Sequence, residues 1–267
     1  MRFFNKLLSY QTNNFIIVKI QKKLMRIFDI YFVVTNIQKL PENNYTINSN
    51  FDYQEEIVKK FNKTSNLVSL NTCPKIVQML KKLSLDENLK FNFLDFGGEN
   101  IDFYLYLKKN FKNINYFVHN KKNINQDFIR LKEKYKFENI TVLENIDEIS
   151  NNKYDFICFG SVIQYVNNYD QILLTIIKTS KKYIFFSGTH FFLKILNKKE
   201  RTIVRQVNFL PSELYCYFFN FNSFVRIFIT NKFSIISKEK NIIGNVNYNN
   251  FRSSLGNIIY TDLLLSL

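Results

Sequence analysis

The feature that most constrains the fold of this chain is the segment Phe-Asn-Phe-Leu-Asp-Phe-Gly-Gly, which begins at residue 91. Its first six residues have the composition of a strand, and Gly97 and Gly98 separate them from a stretch of helical type. In an open α/β sheet, a strand ends at such a point, the chain turns sharply, and backbone N–H groups point towards a bound cofactor. Glycine is favoured there because a Cβ would collide with the ligand or with the turn. The segment therefore predicts the first strand and first ligand loop of an α/β domain.

A regular alternation of strand and helix patterns surrounds this loop. We predict strands at 91–96, 115–119, 139–143, 154–159 and 183–187, with helices at 101–109, 123–135 and 169–179. Several of these strands are apolar on successive residues, which is typical of strands buried on both faces in a parallel sheet covered by helices. Strand–helix units of this length form right-handed crossovers. The pattern predicts a doubly wound α/β domain that starts near residue 91.

The flanking segments have looser patterns. We predict an N-terminal arm over residues 1–50, a helical lead-in over 51–90, and a main domain over 91–267 with an inserted segment at about 188–222. Beyond residue 187 we predict a strand at 202–208, a short helix at 212–219, a helix at 223–231 and strands at 233–240 and 257–265. The last two strands are candidates for an antiparallel pair at the sheet edge.

Composition bounds the class of partner. The 267 residues suffice for one large domain, or one domain with a subdomain. The net charge is +15, but the lysines are scattered and form no run of five, which disfavours a nucleic-acid partner and favours codon bias as the cause. Cys73, Cys158 and Cys216 lie far apart, and the chain has two histidines, so we expect no metal site and a reducing, cytoplasmic setting.

The stretch 16–34 leaves two interpretations open. It is apolar, but four basic residues and Asp29 interrupt it, and no segment has the roughly 20 apolar residues that span a bilayer. A basic amphipathic helix in peripheral contact with a membrane is one interpretation. A helix packed against the domain is the other, and we favour it.

The first loop can hold a ligand that lacks a pyrophosphate. A dinucleotide site would carry G-x-G-x-x-G and an acid about 20 residues further on, whereas this loop has only Gly97 and Gly98, with Glu99 at the next position. S-adenosylmethionine has a sulfonium, an amino-acid end and an adenosine, and Asp95 beside Phe96 suits its ammonium group. The alternative is a tight turn without a ligand.

The next two strand ends supply further candidates. His119 and Asn120 stand where an acid that accepts both ribose hydroxyls is expected; imidazole and amide groups bind a hydroxyl with less charge assistance. An exposed turn residue is the alternative for His119. Glu144 or Asn145 is placed to accept a hydrogen bond from an adenine amino group, and a helix cap is the alternative for Asn145.

The fourth strand runs into Gly160, Ser161 and Gln164, and we interpret these residues as facing the cofactor or substrate. The alternative is a solvated turn. Tyr165 follows them as a candidate for orienting a substrate. His190, just past the fifth strand, is the candidate general base for a hydroxyl acceptor. The alternative is a partly buried histidine on an aromatic face.

With these motifs the chain resembles class I S-adenosylmethionine-dependent methyltransferases. More narrowly, it is similar to a family of bacterial methyltransferases with a Leu-Asp-Phe-Gly-Gly first loop, matched at 94–98, and a Gly-x-x-x-Gln-Tyr motif, matched at 160–165. The resemblance covers roughly residues 50–267. It implies a Rossmann-like, doubly wound, mostly parallel seven-stranded sheet with an antiparallel edge strand, behind a helical N-terminal arm.

The resemblance also implies an activity: methyl transfer from S-adenosylmethionine to a small-molecule or glycan acceptor, in surface-polysaccharide biosynthesis. The implied cofactor residues are Asp95, Phe96, Gly97, Gly98, Glu99, His119, Asn120, Glu144, Asn145, Gly160, Ser161 and Gln164. Glu99 in place of a third glycine and His119 in place of an acid depart from the pattern. Two alternatives stay open: a nucleic-acid methyltransferase, motivated by charge and aromatics, and a non-catalytic binding module, motivated by these departures.

Overall fold

The computed structural model describes residues 2–42, 50–64, 73–83, 90–193, 200–241, 248–251 and 255–267. Their helices are α1 (Arg2–Ser9), α2 (Phe15–Phe28), α3 (Phe51–Thr64), α4 (Cys73–Lys82), α5 (Ile101–Asn110), α6 (Lys122–Tyr135), α7 (Ile146–Ser150), α8 (Tyr169–Thr179) and α9 (Phe221–Ile229). Their strands are β1 (Phe32–Val34), β2 (Phe91–Phe96), β3 (Ile114–His119), β4 (Ile140–Leu143), β5 (Tyr154–Gly160), β6 (Ser180–Phe192), β7 (Arg201–Gln206), β8 (Tyr215–Asn220), β9 (Ser234–Lys240) and β10 (Ile258–Ser266). Residues 43–49, near the end of the predicted N-terminal arm, lie outside the described residues.

The chain divides into two compact units. The central unit comprises Ile47–Gly160 with Gln171–Phe185 and the last residue. The flanking unit comprises Met1–Thr46, Ser161–Asp170 and Phe186–Ser266. Strand β6 begins in the central unit and ends in the flanking one, so each unit is described in turn.

The central unit holds the predicted parallel sheet. Its strand order is β4-β3-β2-β5, followed by the first part of β6. Strand β2 pairs in parallel with β3 and with β5, and β3 pairs in parallel with β4. Phe96 is opposite His119 and Phe159, and His119 is opposite Leu143. The carboxyl ends of four strands therefore lie level at one edge of this sheet, and the loops that follow them start there.

Aromatic side chains form much of the core of the central unit. Phe93 stacks between Tyr116 and Phe156, with ring centroids 5.9 and 5.3 Å away. All three are fully buried, and each such side chain contributes about 1.5–3 kcal/mol of burial free energy. Helix α5 is buried on nearly all sides, whereas α6 buries one face only. This packing fixes the ends of β2 and β3, where the candidate site begins.

The flanking unit has mixed strand directions. Strand β1 pairs antiparallel with β7, β7 pairs antiparallel with β8, and the end of β6 pairs in parallel with β8. Strands β9 and β10 form the antiparallel pair that the sequence predicts. The described residues contain ten strands rather than seven. Two of the additional strands, β1 and β8, lie within segments that were predicted to be helical.

The helix predicted at 212–219 is wrong, because β8 occupies most of that segment. Its sequence Tyr-Cys-Tyr-Phe-Phe-Asn is buried at every position. Aromatic residues favour strands, and a strand whose two faces are both covered is apolar at successive positions. The helix predicted at 223–231 is confirmed as α9.

The N-terminal helices pack within the flanking unit. Val18 and Met25 of α2 join Leu8 of α1, and Ile30 and Val33, in one buried cluster. The prediction of a packed helix is therefore confirmed for one face of α2. Among the described residues, no helix combines the length and apolar character that crossing a membrane requires.

Candidate functional site

Two glycines shape the first loop of the central unit. Gly97 has a φ of +84°, which glycine adopts without strain, and its N–H donates to the His119 carbonyl at 2.7 Å. A Cβ on Gly98 would lie 2.7 Å from the Asp95 Cγ and 3.1 Å from the Val118 Cγ2. The first position thus requires a left-handed backbone, and the second leaves no room for a side chain beside Asp95.

The Asp95 carboxyl group lies beneath this loop. It is 3% exposed, and its Oδ2 accepts a 2.5 Å hydrogen bond from the Tyr116 hydroxyl. Burial raises the pKa of Asp95 to about 7, and repulsion from Asp102 and Glu99 acts in the same direction, against the Tyr116 hydrogen bond. A cation bound here would favour the ionised carboxylate.

Two further acids lie near Asp95. Burial raises the pKa of Glu99, and it raises the pKa of Asp102 to about 6. The Asp102 Oδ1 is buried and has no hydrogen-bond partner among the described residues. Both acids raise the pKa of Asp95 by charge repulsion. Three acids with raised pKa values around one loop form an environment that favours a cationic ligand group.

Gln54 of α3 holds the loop, and sequence reasoning missed it. Its Nε2 donates to the Glu99 carbonyl at 3.0 Å and to the Asn100 Oδ1 at 2.7 Å. Its Oε1 accepts from the Ile101 N–H at 2.8 Å. Asn100 makes no side-chain cap for α5, so Gln54 satisfies the first N–H of that helix instead. No local signal identifies Gln54, since it lies 45 residues before its partner Glu99.

His119 and Asn120 have different roles. The His119 Nδ1 lies 2.8 Å from the Leu143 carbonyl, which can only accept, so Nδ1 carries a proton and Nε2 is the acceptor of the neutral ring. That nitrogen can accept a hydrogen bond from a ribose hydroxyl, as a carboxylate would. The Asn120 Nδ2 instead donates to the Gly98 carbonyl at 2.8 Å. Its side chain stabilises the glycine loop.

In the turn after β4, Asn145 is the N-cap of α7. The Asn145 Oδ1 accepts from the Glu148 N–H at 3.1 Å and caps α7. The Glu148 carboxylate in turn accepts from the Asn145 Nδ2 and the Glu144 N–H, at 2.6 and 2.9 Å. The arrangement differs from a capping box, because Glu148 bonds the N–H of Glu144 and not that of the N-cap residue Asn145. The Glu144 side chain is exposed and remains the candidate acceptor at this strand end.

Gly160 ends β5, is exposed, and has open space around its Cβ position. The residues after it belong to the flanking unit. Ser161 has a φ of +56° and donates its N–H to the Ser187 carbonyl at 2.9 Å. Gly188 has a φ of +57°, and a Cβ there would lie 2.8 Å from the Tyr260 Cζ. Two left-handed residues thus pack against each other in this unit.

A buried polar cluster supports these residues. The Asp262 Oδ1 accepts from the Gly188 N–H at 2.9 Å, the Asn241 Nδ2 at 2.6 Å and the Ser187 Oγ at 3.2 Å. The Gln164 Nε2 donates to the Gly188 carbonyl at 3.1 Å. Sequence reasoning missed Asp262; its signal is an acid inside the apolar run of β10.

His190 adopts the buried alternative. It is 4% exposed, its ring stacks on Phe218 at 4.7 Å, and its Nδ1 lies 2.8 Å from the Tyr248 hydroxyl. Burial lowers the pKa of His190 to about 3. A neutral histidine enclosed by aromatic rings is part of the core, and this geometry does not support the general-base prediction.

Tyr165 is half-buried. Its hydroxyl donates to the Gln206 Oε1 at 3.2 Å, within the flanking unit. The structure thus brings the loop residues, His119 and Glu144 together at one sheet edge of the central unit. It places Ser161, Gln164, Tyr165 and His190 in the flanking unit.

No protein-family model matches this chain, and no curated protein matches its sequence. Solved structures do match its fold. The crystal structure of coclaurine N-methyltransferase bound to N-methylheliamine and SAH has a TM-score of 0.52 at 9% identity, over 100% of this chain and 98% of that one. The N-terminal domain of EvdMO1 with SAH bound has a TM-score of 0.51 at 9% identity, over 97% and 98%. The chain has the α/β Rossmann-like methyltransferase fold.

Proposed function

We propose that this protein transfers a methyl group from S-adenosylmethionine to a small-molecule acceptor. The observation that carries the proposal is the Gly97–Gly98 loop above the buried Asp95 carboxyl group, in a fold shared with methyltransferases crystallised with SAH. The ligand carries an ammonium group at its amino-acid end and has no phosphate; the acids around this loop favour the ammonium group and would repel a phosphate.

The residues of the central unit fit this cofactor. Gly98 has no space for a Cβ, and the buried Asp102 carboxylate has an oxygen without a described partner. Asp95, Glu99 and Asp102 would hold the ammonium group. The His119 Nε2 would accept from a ribose hydroxyl and the Glu144 carboxylate from the adenine amino group. Glu99, a departure from the family pattern, thus adds an acid on the side where the cation would bind.

When bound, S-adenosylmethionine supplies an electrophilic methyl carbon on its sulfonium. The protein's part is to bind, orient and desolvate the reactants, and correct positioning supplies much of the rate in such a transfer. His190 is buried and hydrogen-bonded, so we assign it to the scaffold. For a glycan hydroxyl acceptor, as in surface-polysaccharide biosynthesis, we propose that another group takes the proton.

Calorimetric titration with S-adenosylmethionine and S-adenosylhomocysteine tests this proposal. We expect micromolar binding by the wild-type protein. We expect at least tenfold weaker binding by Gly98→Ala, because its new methyl group displaces the Asp95 carboxylate. Asn92→Ala, at the opposite end of β2, is the control and should bind as the wild type does.

Circular dichroism and thermal melting confirm that each variant is folded. Full affinity in folded Gly98→Ala would show that the site is misplaced. A folded wild-type protein that binds neither compound would favour a non-catalytic module.

A further inference from the structure

Helix α2 has two apolar faces, and only one of them is packed. Val18 and Met25 lie in the buried cluster of the flanking unit. On another side, Ile16, Ile20 and Ile27 are 68%, 48% and 62% exposed. At roughly 100° per residue, these three isoleucines fall within an arc of about 40°. They form an apolar stripe along the helix.

The helix is held so that this stripe stays outward. Gln21 is fully buried, and its Nε2 donates to the Leu7 and Tyr10 carbonyls at 2.9 and 2.8 Å. Arg205 of β7 is also buried and donates to the Leu8 carbonyl at 3.1 Å. These hydrogen bonds satisfy the carboxyl end of α1, and those of Gln21 fix α1 against α2. Rotation of α2 to bury the isoleucines would break the two Gln21 hydrogen bonds.

A basic strip borders the isoleucines. Lys19, Lys23 and Arg26 are exposed and occupy the adjacent arc of α2. None of them forms an ion pair with a described residue. Residues 1–28 contain six Lys and Arg residues and no Asp or Glu. The surface therefore combines exposed apolar side chains with uncompensated positive charge.

We propose that α2 docks on an anionic lipid bilayer surface and lies in the plane of the interface. The isoleucine stripe enters the boundary between headgroups and acyl chains, and the basic strip contacts lipid phosphates. The 14-residue helix lies on the surface rather than across it. This inference goes beyond methyl transfer and does not depend on it.

Charge distinguishes a bilayer from the other candidate occupants. A second copy docked through the same face would bring two basic strips together, and like charges in contact oppose association. A nucleic acid would neutralise the lysines but would leave the isoleucines without a role. An anionic bilayer matches both parts of the surface.

The absence of tryptophan from the chain provides a direct test. Ile16→Trp places one fluorophore in the stripe, and Ile236→Trp on β9 is the control, since Ile236 is 52% exposed. With vesicles of phosphatidylcholine and phosphatidylglycerol, we expect a blue shift and quenching by brominated lipid for Ile16→Trp alone. An unchanged spectrum for Ile16→Trp, or equal shifts at both sites, would overturn the proposal.

Vesicle sedimentation of the full chain tests the basic strip. A cation near an anionic surface strengthens binding roughly fivefold. The variant Lys19→Gln/Lys23→Gln/Arg26→Gln should therefore bind at least about tenfold more weakly. A control removes the same charge elsewhere, on α3, α4 and α8, by the substitutions Lys63→Gln, Lys82→Gln and Lys178→Gln.

The variant Ile20→Gln/Ile27→Gln tests the apolar stripe. It should also bind vesicles weakly, and its melting temperature should match that of the wild type. Equal losses in the charge control would mean that net charge alone drives binding, against the proposal. If the wild-type protein does not bind vesicles but forms a dimer or a nucleic-acid complex that these variants abolish, the exposed face of α2 binds that partner instead.

Discussion

At the scale of single residues, the Asp95 carboxyl group links the charge of the first loop to the binding of a cation. Burial and two neighbouring acids raise its pKa to about 7, so the group is partly protonated near neutral pH. A bound ammonium group favours the ionised form and lowers this pKa. Binding therefore releases a proton wherever free Asp95 is protonated.

This linkage predicts a pH dependence of cofactor binding. The affinity for S-adenosylhomocysteine should rise as the pH increases from about 6 to about 7, by up to tenfold per unit, and level off above about 8. Asp95→Asn should bind weakly and show a smaller pH dependence, because only Asp102, with a pKa of about 6, and Glu99 then titrate beside the ammonium group. Asp155→Asn, at the opposite end of neighbouring β5, is the matched control. Calorimetry in buffers of different ionisation enthalpy measures the released protons, and a pH-independent wild-type affinity would contradict the role of Asp95.

At the scale of secondary-structure elements, α5 begins with help from another helix. Its N-cap residue Asn100 makes no side-chain cap, and the Ile101 N–H is satisfied by the Gln54 Oε1 of α3. Because Gln54 also binds the Glu99 carbonyl, the same side chain sets the exit of the glycine loop. The stability of α5 and the shape of the loop are therefore coupled.

Gln54→Leu tests this coupling. The variant keeps the approximate size of the side chain but leaves a buried N–H without its acceptor, which costs about 1–3 kcal/mol. We expect a lower free energy of unfolding in urea and weaker S-adenosylhomocysteine binding. Gln126→Leu, at an exposed position of α6, should change the stability by less than about 0.5 kcal/mol. Equal effects of the two substitutions would contradict the capping role.

At the scale of the whole molecule, the two proposals concern different units. The candidate loop residues with His119 and Glu144 belong to the central unit, and α2 belongs to the flanking unit. The chain passes between the units after Thr46, Gly160, Asp170, Phe185 and Ser266. Each ligand should therefore protect a different set of backbone amides from hydrogen exchange.

Hydrogen–deuterium exchange measures these patterns. S-adenosylhomocysteine should slow exchange in segments 94–100, 116–121 and 143–149, since bound ligand suppresses local opening. Anionic vesicles should slow it in α2 and leave these three segments unchanged. Protection of α2 by the cofactor, with none at 94–100, would place the cofactor site elsewhere.

Local patterns were enough to predict most elements. Strands β2 to β5, helices α5, α6 and α8 and the antiparallel pair of β9 and β10 all arise where periodicity and apolar runs place them. These features depend on residues within a few positions of one another, and the Gly97–Gly98 turn is also local. The alternation of strand and helix patterns also predicts a parallel sheet, in which the carboxyl ends of the strands lie level.

Residues far apart in the chain decided the rest. Strand β8 forms because β6 and β7 pair with it on both sides, and His190 is buried because Phe218 and Tyr248 enclose it. The sequence by itself therefore determined the α/β pattern and the position of the glycine loop, because short-range periodicity specifies them. Only the tertiary structure decided which polar groups are enclosed, which support the loop, as Gln54 does, and which face of α2 stays exposed. Burial and hydrogen bonding at these sites depend on partners distant in sequence.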